Sequence, residues 1–456
     1  MIRLSNGCRF PFPRPSLVNV RRLDMAALPM IEAMNRTGIL ISPARFAKVD
    51  RDMAVEEDRI LAEIHASAGR PLNPESGDQV ASLLFDELGL SHAAMRMTPT
   101  KDRYSTSQDT LSGLRGQHPL VDLILDHREL RKLRTTYTLP LPGMAGPDGR
   151  VRTTFKATTA RTGRLASENP NCQNIPVRGE WGLKIRSGFV ARPGCLLVSS
   201  DLSQIEMRMA AHESLDVALM RVFWDRLDIH TVTAIALFRL DGHQILGLLE
   251  AEKAGTLTWQ QEIALKAFRH EYRLPAKTLG FAVLYGVTAK GLQVQILAAG
   301  GPLLDLEDCE AYIHRWFEVY EGVLTWMGVQ WGRARRYEMT WDQFGRHRYV
   351  PEVKSVHPRV QAEGLRQAGN HPIQSGAQGI IKTAMHELGA LVSYFRSYHE
   401  ICDPLLQIHD EVITECGQAI AQDYAEMSRA VLSSCVPLEV PVEASADVAE
   451  DWGALK

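Results

Sequence analysis

Two apolar segments that each end at an aspartate constrain the fold of this chain most. CLLVSSDLSQIEMRMAAHES, residues 195–214, has the pattern of a buried strand that ends at Asp201 and runs into a helix. LLQIHDEVITEC, residues 405–416, predicts a β-hairpin with Asp410 at its polar tip. Each aspartate alone is explained more simply as a turn cap. If the two converge, however, they could hold two divalent cations about 4 Å apart for in-line phosphoryl displacement.

A third segment, RLPAKTLGFAVLYG at residues 273–286, has the pattern of a phosphate-binding helix. Residues four apart share one helix face, and here they are Arg273, Lys277, Phe281 and Tyr285. Pro275 favours a first turn, so we expect the helix to start near Arg273, with both cations at the positive end of its dipole. Core packing of the aromatic edge is an equally good explanation of this segment in isolation.

Composition restricts the class of protein. A chain of 456 residues predicts two or three subdomains. Lys and Arg total 51 against 54 Asp and Glu, a net charge of -3, so a polyanion must be bound by local basic patches. The seven cysteines are scattered without a CxxC spacing, which argues against a disulfide framework or zinc ribbon and fits a reducing cytosol. No apolar run reaches membrane-spanning length, and the first residues lack a signal core.

Local patterns divide the chain further. Residues 1–24 look irregular, 25–66 look helical with an interruption at 37–43, and 226–339 look largely helical. Residues 120–137 form a strong helix pattern whose second half is basic, through Arg128, Arg131, Lys132 and Arg134. The helix face is explained either as solvated surface, which we favour on this segment alone, or as a surface that follows phosphates.

Four blocks, in order along the chain, resemble the family A DNA polymerases. They are TGRLASENPNCQNIPVR (162–178), DLSQIEMR (201–208), RLPAKTLGFAVLYG (273–286) and QIHDEV (407–412). Weaker similarity covers 35–46, 120–137, 345–353, 370–382 and 450–453. The resemblance therefore extends from about residue 30 to the end of the sequence.

The resemblance implies an α+β, right-hand polymerase fold with an antiparallel-sheet palm, helical fingers and a helical thumb. The expected regions are an N-terminal segment 1–39, a thumb 40–148, a palm 149–225 and 340–456, and fingers 226–339. It implies a DNA polymerase that adds dNTPs to a primer on a DNA template, using two Mg²⁺ ions for which Mn²⁺ can substitute.

The resemblance also implies roles for individual residues. Metal binding falls to Asp201, Asp410 and the carbonyl of Leu202, with Glu411 beside them but not a principal ligand. Lys277 would also pass a proton to the leaving pyrophosphate. The nucleotide would contact Arg273, Lys277, Phe281, Tyr285, Glu206, Gln204 and His230. Glu206 would be the gate against a ribose 2′-hydroxyl, by contact with Tyr285. The DNA contacts, to which we add two residues of the basic helix, are Arg164, Asn171, Gln173, Asn174, Arg366, Asn370, Gln374, His409, Arg131 and Lys132.

Some residues depart from the family's pattern. Leu202 stands where members often have an aromatic residue, and Pro275 could change where the helix begins. Phe281 in place of Tyr implies a preference for nucleotides with a 3′-hydroxyl. Too few residues precede the expected thumb for a proofreading domain, so we expect neither a 3′→5′ exonuclease nor a 5′ nuclease in this chain.

Four alternatives stay open at this point. A single-subunit RNA polymerase shares the two aspartates and the cationic helix, although Glu206 and the QNIP residues favour DNA synthesis. Reverse transcription would use the same site. A silent DNA-binding scaffold would not need the four charged residues, and a nuclease would not need the triphosphate helix. We expect a cytoplasmic monomer in a bacterium or phage-infected cell, without membrane contact, aided by accessory replication proteins of unknown identity.

Overall fold

A computed structural model describes residues 15–91, 97, 104–177 and 179–455. The helices of these residues are α1 (Leu17–Thr37), α2 (Pro43–Ala68), α3 (Gly77–Ala81), α4 (Gln108–Ser112), α5 (Pro119–Leu133), α6 (Gly179–Arg186), α7 (Ile205–Ser214), α8 (Val217–Trp224), α9 (Ile229–Phe238), α10 (Gly242–Lys253), α11 (Trp259–Phe268), α12 (Leu274–Leu284), α13 (Ala289–Ala298), α14 (Leu306–Val319), α15 (Glu321–Tyr337), α16 (Pro358–Ser397) and α17 (Ala421–Ser434). The strands are β1 (Ile39–Leu40), β2 (Arg150–Val151), β3 (Thr154–Lys156), β4 (Ala166–Glu168), β5 (Cys195–Leu202), β6 (Met339–Trp341), β7 (His347–Tyr349), β8 (Cys402–Ile408), β9 (Glu411–Gly417) and β10 (Ala444–Ala449).

A four-stranded antiparallel sheet with the order β10-β5-β9-β8 forms the centre of the fold. Its strands β8 and β9 are the predicted hairpin, and β5 is the predicted strand before α7. Helix α17 packs on β5 and β10, and α1 packs on β8 and α16. The mixture of helices with an antiparallel sheet confirms the α+β class expected from the sequence.

The prediction of irregular structure over residues 1–24 is wrong from Leu17 onwards, and residues 1–14 lie outside the described part of the chain. Helix α1 starts after Ser16, whose side chain accepts a hydrogen bond from the Asn19 N–H. Asp24 of this helix accepts hydrogen bonds from Lys382 at 2.7 Å and Arg346 at 2.6 Å. Because the Lys382 side chain is 1% exposed, this pairing compensates a buried charge.

The predicted interruption of the helical pattern at 37–43 is confirmed. Helix α1 ends at Thr37, and α2 begins at Pro43 after the short strand β1. Strand β1 pairs with β2, so the expected boundary between residues 39 and 40 falls inside a strand. Helix α2 packs along α5, which is the first part of the basic segment 120–137.

The predicted helical character of residues 226–339 is confirmed by α9 to α15. Helix α16 follows after a small hairpin of β6 and β7 and runs for 40 residues. Glycine allows this helix to approach its neighbours closely: a Cβ on Gly379 would lie 2.2 Å from the Phe344 ring. Among the described helices, none combines the length and apolar character that a membrane span requires.

Candidate active site

The two predicted aspartates meet at one end of the central sheet. Asp201 is the seventh residue of β5 and pairs in register with Glu411, the first residue of β9. Asp410 lies in the turn just before Glu411, and its carbonyl accepts a hydrogen bond from the Leu202 N–H at 3.2 Å. Strand pairing therefore fixes the backbones of both aspartates, as the two strand patterns predicted.

Burial and like charge act together on these carboxyl groups. Burial, together with the nearby carboxylates of Glu411 and Asp447, raises the pKa of Asp201 to about 6. Burial likewise raises the pKa of Asp410 to about 7, with Glu206 and Asp201 adding to the shift. Two buried carboxyl groups with raised pKa values are stabilised either by taking up a proton or by binding a cation.

The donor atoms present fit a magnesium site. Asp410 Oδ1 is buried and has no hydrogen-bond partner in the part of the chain that the structure describes, so this carboxylate oxygen can bind a cation. Mg²⁺ accepts one or two carboxylates when water and substrate phosphates complete its coordination. Within the described residues, no group of three or more His, Cys, Asp and Glu side chains is arranged to hold a metal. A magnesium ion at the two aspartates would thus need water and phosphate oxygens to complete its coordination.

Glu411 is less suited to this role than its neighbours. Its Oε1 accepts a hydrogen bond from the Ser199 hydroxyl at 2.5 Å, so the sheet already uses this carboxylate. Its pKa is raised by burial, while the hydrogen bond from Ser199 lowers it. This arrangement is consistent with the expectation that Glu411 is not a principal metal ligand.

The expectation that Arg273 and Lys277 lie at the positive end of a helix dipole is wrong, although α12 does begin at Leu274, next to Arg273 as expected. Helix α11 ends at Phe268 and continues through a wider π-type turn at Arg269–Arg273 directly into α12. The Leu274 N–H bonds to the Arg269 carbonyl, so this point is not a free N-terminus with unpaired N–H groups. Pro275 is tolerated because the wider turn precedes it. The expected phosphate-binding role of this segment thus depends on its two cations and not on a helix dipole.

The residues around these cations form one group. Arg273 donates a hydrogen bond from Nε to Asp228 Oδ2 at 2.8 Å. His230 is buried, and its ring centroid lies 5.3 Å from that of Phe281. Burial lowers the pKa of His230 to about 4, and the positive charges of Arg273 and Lys277 act in the same direction. The predicted nucleotide residues of α9 and α12 therefore lie side by side.

Glu206 joins the sheet site to α12. The Tyr285 hydroxyl donates a hydrogen bond to Glu206 Oε2, a contact suggested by the sequence. Arg164 donates to the other oxygen at 2.5 Å, an ion pair that sequence reasoning missed because it placed Arg164 on DNA. Gln204 precedes α7 with a left-handed backbone, φ 53°, next to Glu206 in the chain.

The loop that carries three predicted DNA contacts is hydrogen-bonded to the β8–β9 hairpin. Gln173 donates from Nε2 to the backbone and side-chain oxygens of Gln407, both at 3.1 Å. Asn171 accepts from the Gln173 N–H, and the Asn174 carbonyl accepts from Tyr137. Gln407 was not identified from the sequence, although it begins the QIHDEV block. Its own amide contacts the carbonyl of His409, which is exposed at the turn.

Helix α16 contributes a row of polar residues four positions apart: Arg366, Asn370 and Gln374. Arg366 packs against the end of α12, where a Cβ on Gly286 would lie 2.5 Å from its Cγ. Gln374 hydrogen-bonds the Tyr285 side chain. Asn370 Oδ1 is buried and has no hydrogen-bond partner among the described residues. Gln374 is thus linked to Glu206 through Tyr285.

The positive charges in and after helix α5 are partly paired within the fold and partly exposed. Arg131 donates to Glu57 at 3.0 Å, and Arg134 donates to Glu57 and Asp50, so much of the positive charge is compensated within the fold. Arg131 and Lys132 are nevertheless exposed, and they line a cavity with Asn174. The structure therefore brings these two residues near the loop of predicted DNA contacts.

The sequence profile of DNA polymerase family A matches residues 43–247 and 256–454. The chain belongs to DNA polymerase family A. It is 36% identical to the thermostable DNA polymerase I of Thermus aquaticus over 440 residues, which is 96% of this chain and 48% of that protein. It is 36% identical to DNA polymerase I of Deinococcus radiodurans over 445 residues, 94% of this chain and 42% of that protein. The chain thus spans about half the length of these relatives.

A solved structure is also similar to this family A chain, in both sequence and fold. It is the POL domain of Pol1 from M. smegmatis in complex with DNA primer-template and dNTP. The two chains are 28% identical, with a TM-score of 0.78 over 96% of this chain and 72% of that one. The resemblance and the fold class expected from the sequence are therefore confirmed.

Proposed function

We propose that this chain is a template-directed DNA polymerase that adds dNTPs to a primer 3′ end by two-metal phosphoryl transfer. The observation that carries the proposal is the convergence of Asp201 and Asp410 beside Glu206, which contacts Tyr285 of α12. The similar M. smegmatis domain, in complex with primer-template and dNTP, supports DNA and dNTP as its substrates.

Asp201 and Asp410 would hold the metal ions, with the Leu202 carbonyl as an additional ligand. The unpartnered Asp410 Oδ1 supports this assignment. Bound Mg²⁺ or Mn²⁺ would activate the primer hydroxyl and stabilise the leaving group. Lys277 would give a proton to the pyrophosphate as negative charge develops there.

The nucleotide would lie between α12 and the sheet. Arg273 and Lys277 would bind its phosphates, while Phe281 and His230 would bound the pocket on one side. Glu206 would exclude a ribose 2′-hydroxyl. Its two hydrogen bonds, from Arg164 and Tyr285, support a carboxylate held in one position.

Primer and template would follow a polar surface made from two parts of the chain. One part is the loop with Asn171, Gln173 and Asn174, and the other is the row on α16. Amide and guanidinium donors suit the DNA minor groove, whose acceptors depend little on base sequence. Arg131 and Lys132 would contact phosphates further along the duplex.

The right-hand regions follow as part of the proposal. The thumb would be 40–148, the fingers 226–339, and the palm 149–225 with 340–456, next to an N-terminal segment 1–39. The absence of exonuclease activity from these residues, a cytoplasmic location, monomeric state and accessory proteins stay predictions. Excision of a mismatched primer end in a purified-protein assay would contradict the first of them.

Primer extension tests the proposed function directly. A labelled primer on a DNA template is incubated with Mg²⁺ and either dNTPs or rNTPs, using the wild type, Asp201→Ala and Asp403→Asn. Asp403 is a matched control, since it lies at the other end of the β8–β9 hairpin and pairs with Arg192 and Arg396.

We expect extension with dNTPs alone, loss of that extension in Asp201→Ala, and near-normal extension in Asp403→Asn. Comparable extension with rNTPs would favour RNA synthesis instead. Tight binding of the primer-template without extension by the wild type would favour a scaffold.

A further inference from the structure

The side chain of Asp228 contacts both elements that form the phosphate end of the proposed nucleotide site. It caps the N-terminus of α9, where its Oδ2 accepts from the Thr231 N–H at 3.0 Å and the Thr231 hydroxyl at 2.6 Å. The same oxygen accepts from Arg273 Nε at 2.8 Å. One carboxylate oxygen thus joins the start of α9 to the arginine before α12.

This contact uses only one edge of the guanidinium. Arginine carries five N–H donors in a rigid plane, and Nε supplies one of them. Among the described residues, no acceptor bonds to the two terminal nitrogens of Arg273. The Arg273 side chain is 31% exposed, so a ligand can reach part of it.

A cavity of about 470 Å³ adjoins this arginine. Its lining includes Arg226, Lys253 and Arg273, together with Asp228. A long side chain left unrestrained would lose rotamer entropy on binding a phosphate, whereas a side chain held in advance does not. The Asp228 carboxylate therefore holds the arginine in one orientation, although its negative charge weakens the attraction of the arginine for an anion.

We propose that Asp228 is a positioning residue for the triphosphate: it holds Arg273 through Nε so that the terminal nitrogens meet the terminal phosphates of the incoming nucleotide. The inference rests on the proposed function, because it takes Arg273 as a phosphate ligand. It predicts that the hydrogen-bond acceptor at position 228 matters more than its negative charge.

The test compares Asp228→Ala, Asp228→Asn and Asp241→Ala in the full chain. Asp241 is a matched control, because it caps α10 by accepting from the N–H groups of His243 and Gln244 and pairs with no arginine among the described residues. Two quantities are measured: KM and kcat for dTTP in primer extension, and dTTP affinity by calorimetry on a complex with a dideoxy-terminated primer.

We expect Asp228→Ala to raise both KM and the dissociation constant for dTTP by about tenfold, with a much smaller change in kcat. Asp228→Asn keeps a side-chain oxygen for Arg273 and the cap, so its constants should stay near those of the wild type. Asp241→Ala should leave both constants unchanged, although it loses a cap.

A double-mutant cycle separates positioning from a structural role. In an Arg273→Ala background, Asp228→Ala should have no further effect on dTTP affinity, because the residue through which it acts is gone. Additive effects, or equal effects of Asp228→Ala and Asp241→Ala, would overturn the inference. If the wild type binds dTTP but does not extend the primer, the proposed function alone is contradicted. If the wild type neither binds dTTP nor extends the primer, the proposed function and the inference about Asp228 are both contradicted.

Discussion

Arg164 forms an ion pair with Glu206, with 2.5 Å between Nη2 and Oε1. This contact joins the 162–178 block to the helix that follows the first aspartate. Tyr285 holds the second oxygen of the same carboxylate, so three of the four sequence blocks meet at Glu206. The carboxylate is thereby fixed from two directions beside the proposed sugar position.

Replacing the Glu206 carboxylate should change the selectivity for dNTPs over rNTPs. We expect Glu206→Ala to raise rNTP incorporation relative to dNTP on the order of 100-fold, since it removes a buried group that a 2′-hydroxyl would otherwise meet. Tyr285→Phe keeps the ring and the carboxylate and loses one restraint, so its effect should be smaller. The ratio of kcat/KM for dCTP to that for rCTP is measured for both variants. An unchanged ratio in Glu206→Ala would contradict the assignment of Glu206 as the gate against a ribose 2′-hydroxyl.

Metal binding should be visible without catalysis. A cation that binds only the folded chain raises its melting temperature. We expect Mn²⁺ or Mg²⁺ to stabilise the wild type and Glu411→Gln, because Glu411 is already engaged by Ser199, but not Asp410→Asn. Thermal unfolding at several metal concentrations provides the measurement. Equal metal-dependent shifts in all three proteins would place the ion elsewhere.

Glu213 should make stability depend on pH. Burial, together with the nearby Asp342, raises the pKa of this carboxyl to about 7. Between the ordinary value of 4.5 and about 7, the folded chain keeps a proton that the unfolded chain has lost. The contribution of Glu213 to the free energy of unfolding therefore falls as pH rises through this range, and it is constant at higher pH.

Glu213→Gln should remove this contribution, which is at most about 3 kcal/mol. Urea unfolding of both proteins at pH values from 4.5 to 8 isolates it, since other groups titrate equally in the two. The difference in stability should grow with pH in favour of the variant. A constant difference would show that Glu213 keeps an ordinary pKa.

The long helix α16 offers a paired test of packing. Gly379→Ala would bring a methyl group to 2.2 Å from the Phe344 ring, so we expect a loss of about 2 kcal/mol. A methyl group on Gly389 would meet only Met30 Sδ, at 3.9 Å. Gly389→Ala should thus stabilise the chain by about 0.5 kcal/mol through helix propensity. Chemical denaturation of both variants checks the pair, and equal effects would be evidence against the close contact.

The sequence predicted the elements that carry chemistry better than the ends of helices. Strand periodicity located Asp201 and Asp410, because alternating and apolar runs depend on local pattern. The start of α12 was located correctly from Pro275, but its continuous connection to α11 was missed, because the π-type turn between them leaves no comparable signal. The helical start of α1 at Leu17 was missed within a segment rich in arginine.

Contacts between distant residues were the least predictable part of the site. Glu206 with Tyr285 was suggested by the family resemblance, whereas Arg164 with Glu206 and Gln173 with Gln407 were not. Such pairs depend on how separate segments are brought together, and single-residue patterns contain no record of that. Asp228 has an ordinary capping signature in the sequence, which conceals its contact with Arg273.

The position of β5 between β9 and β10 has a consequence for synthesis on the ribosome. Both neighbours of this strand are made from residues 411–417 and 444–449, far later in the chain than Asp201. At about 5–20 residues per second, the apolar β5 must wait on the order of tens of seconds for its partners. The emerging chain thus has two open strand edges during that interval. Its chemistry can begin only when translation of this sequence is nearly over.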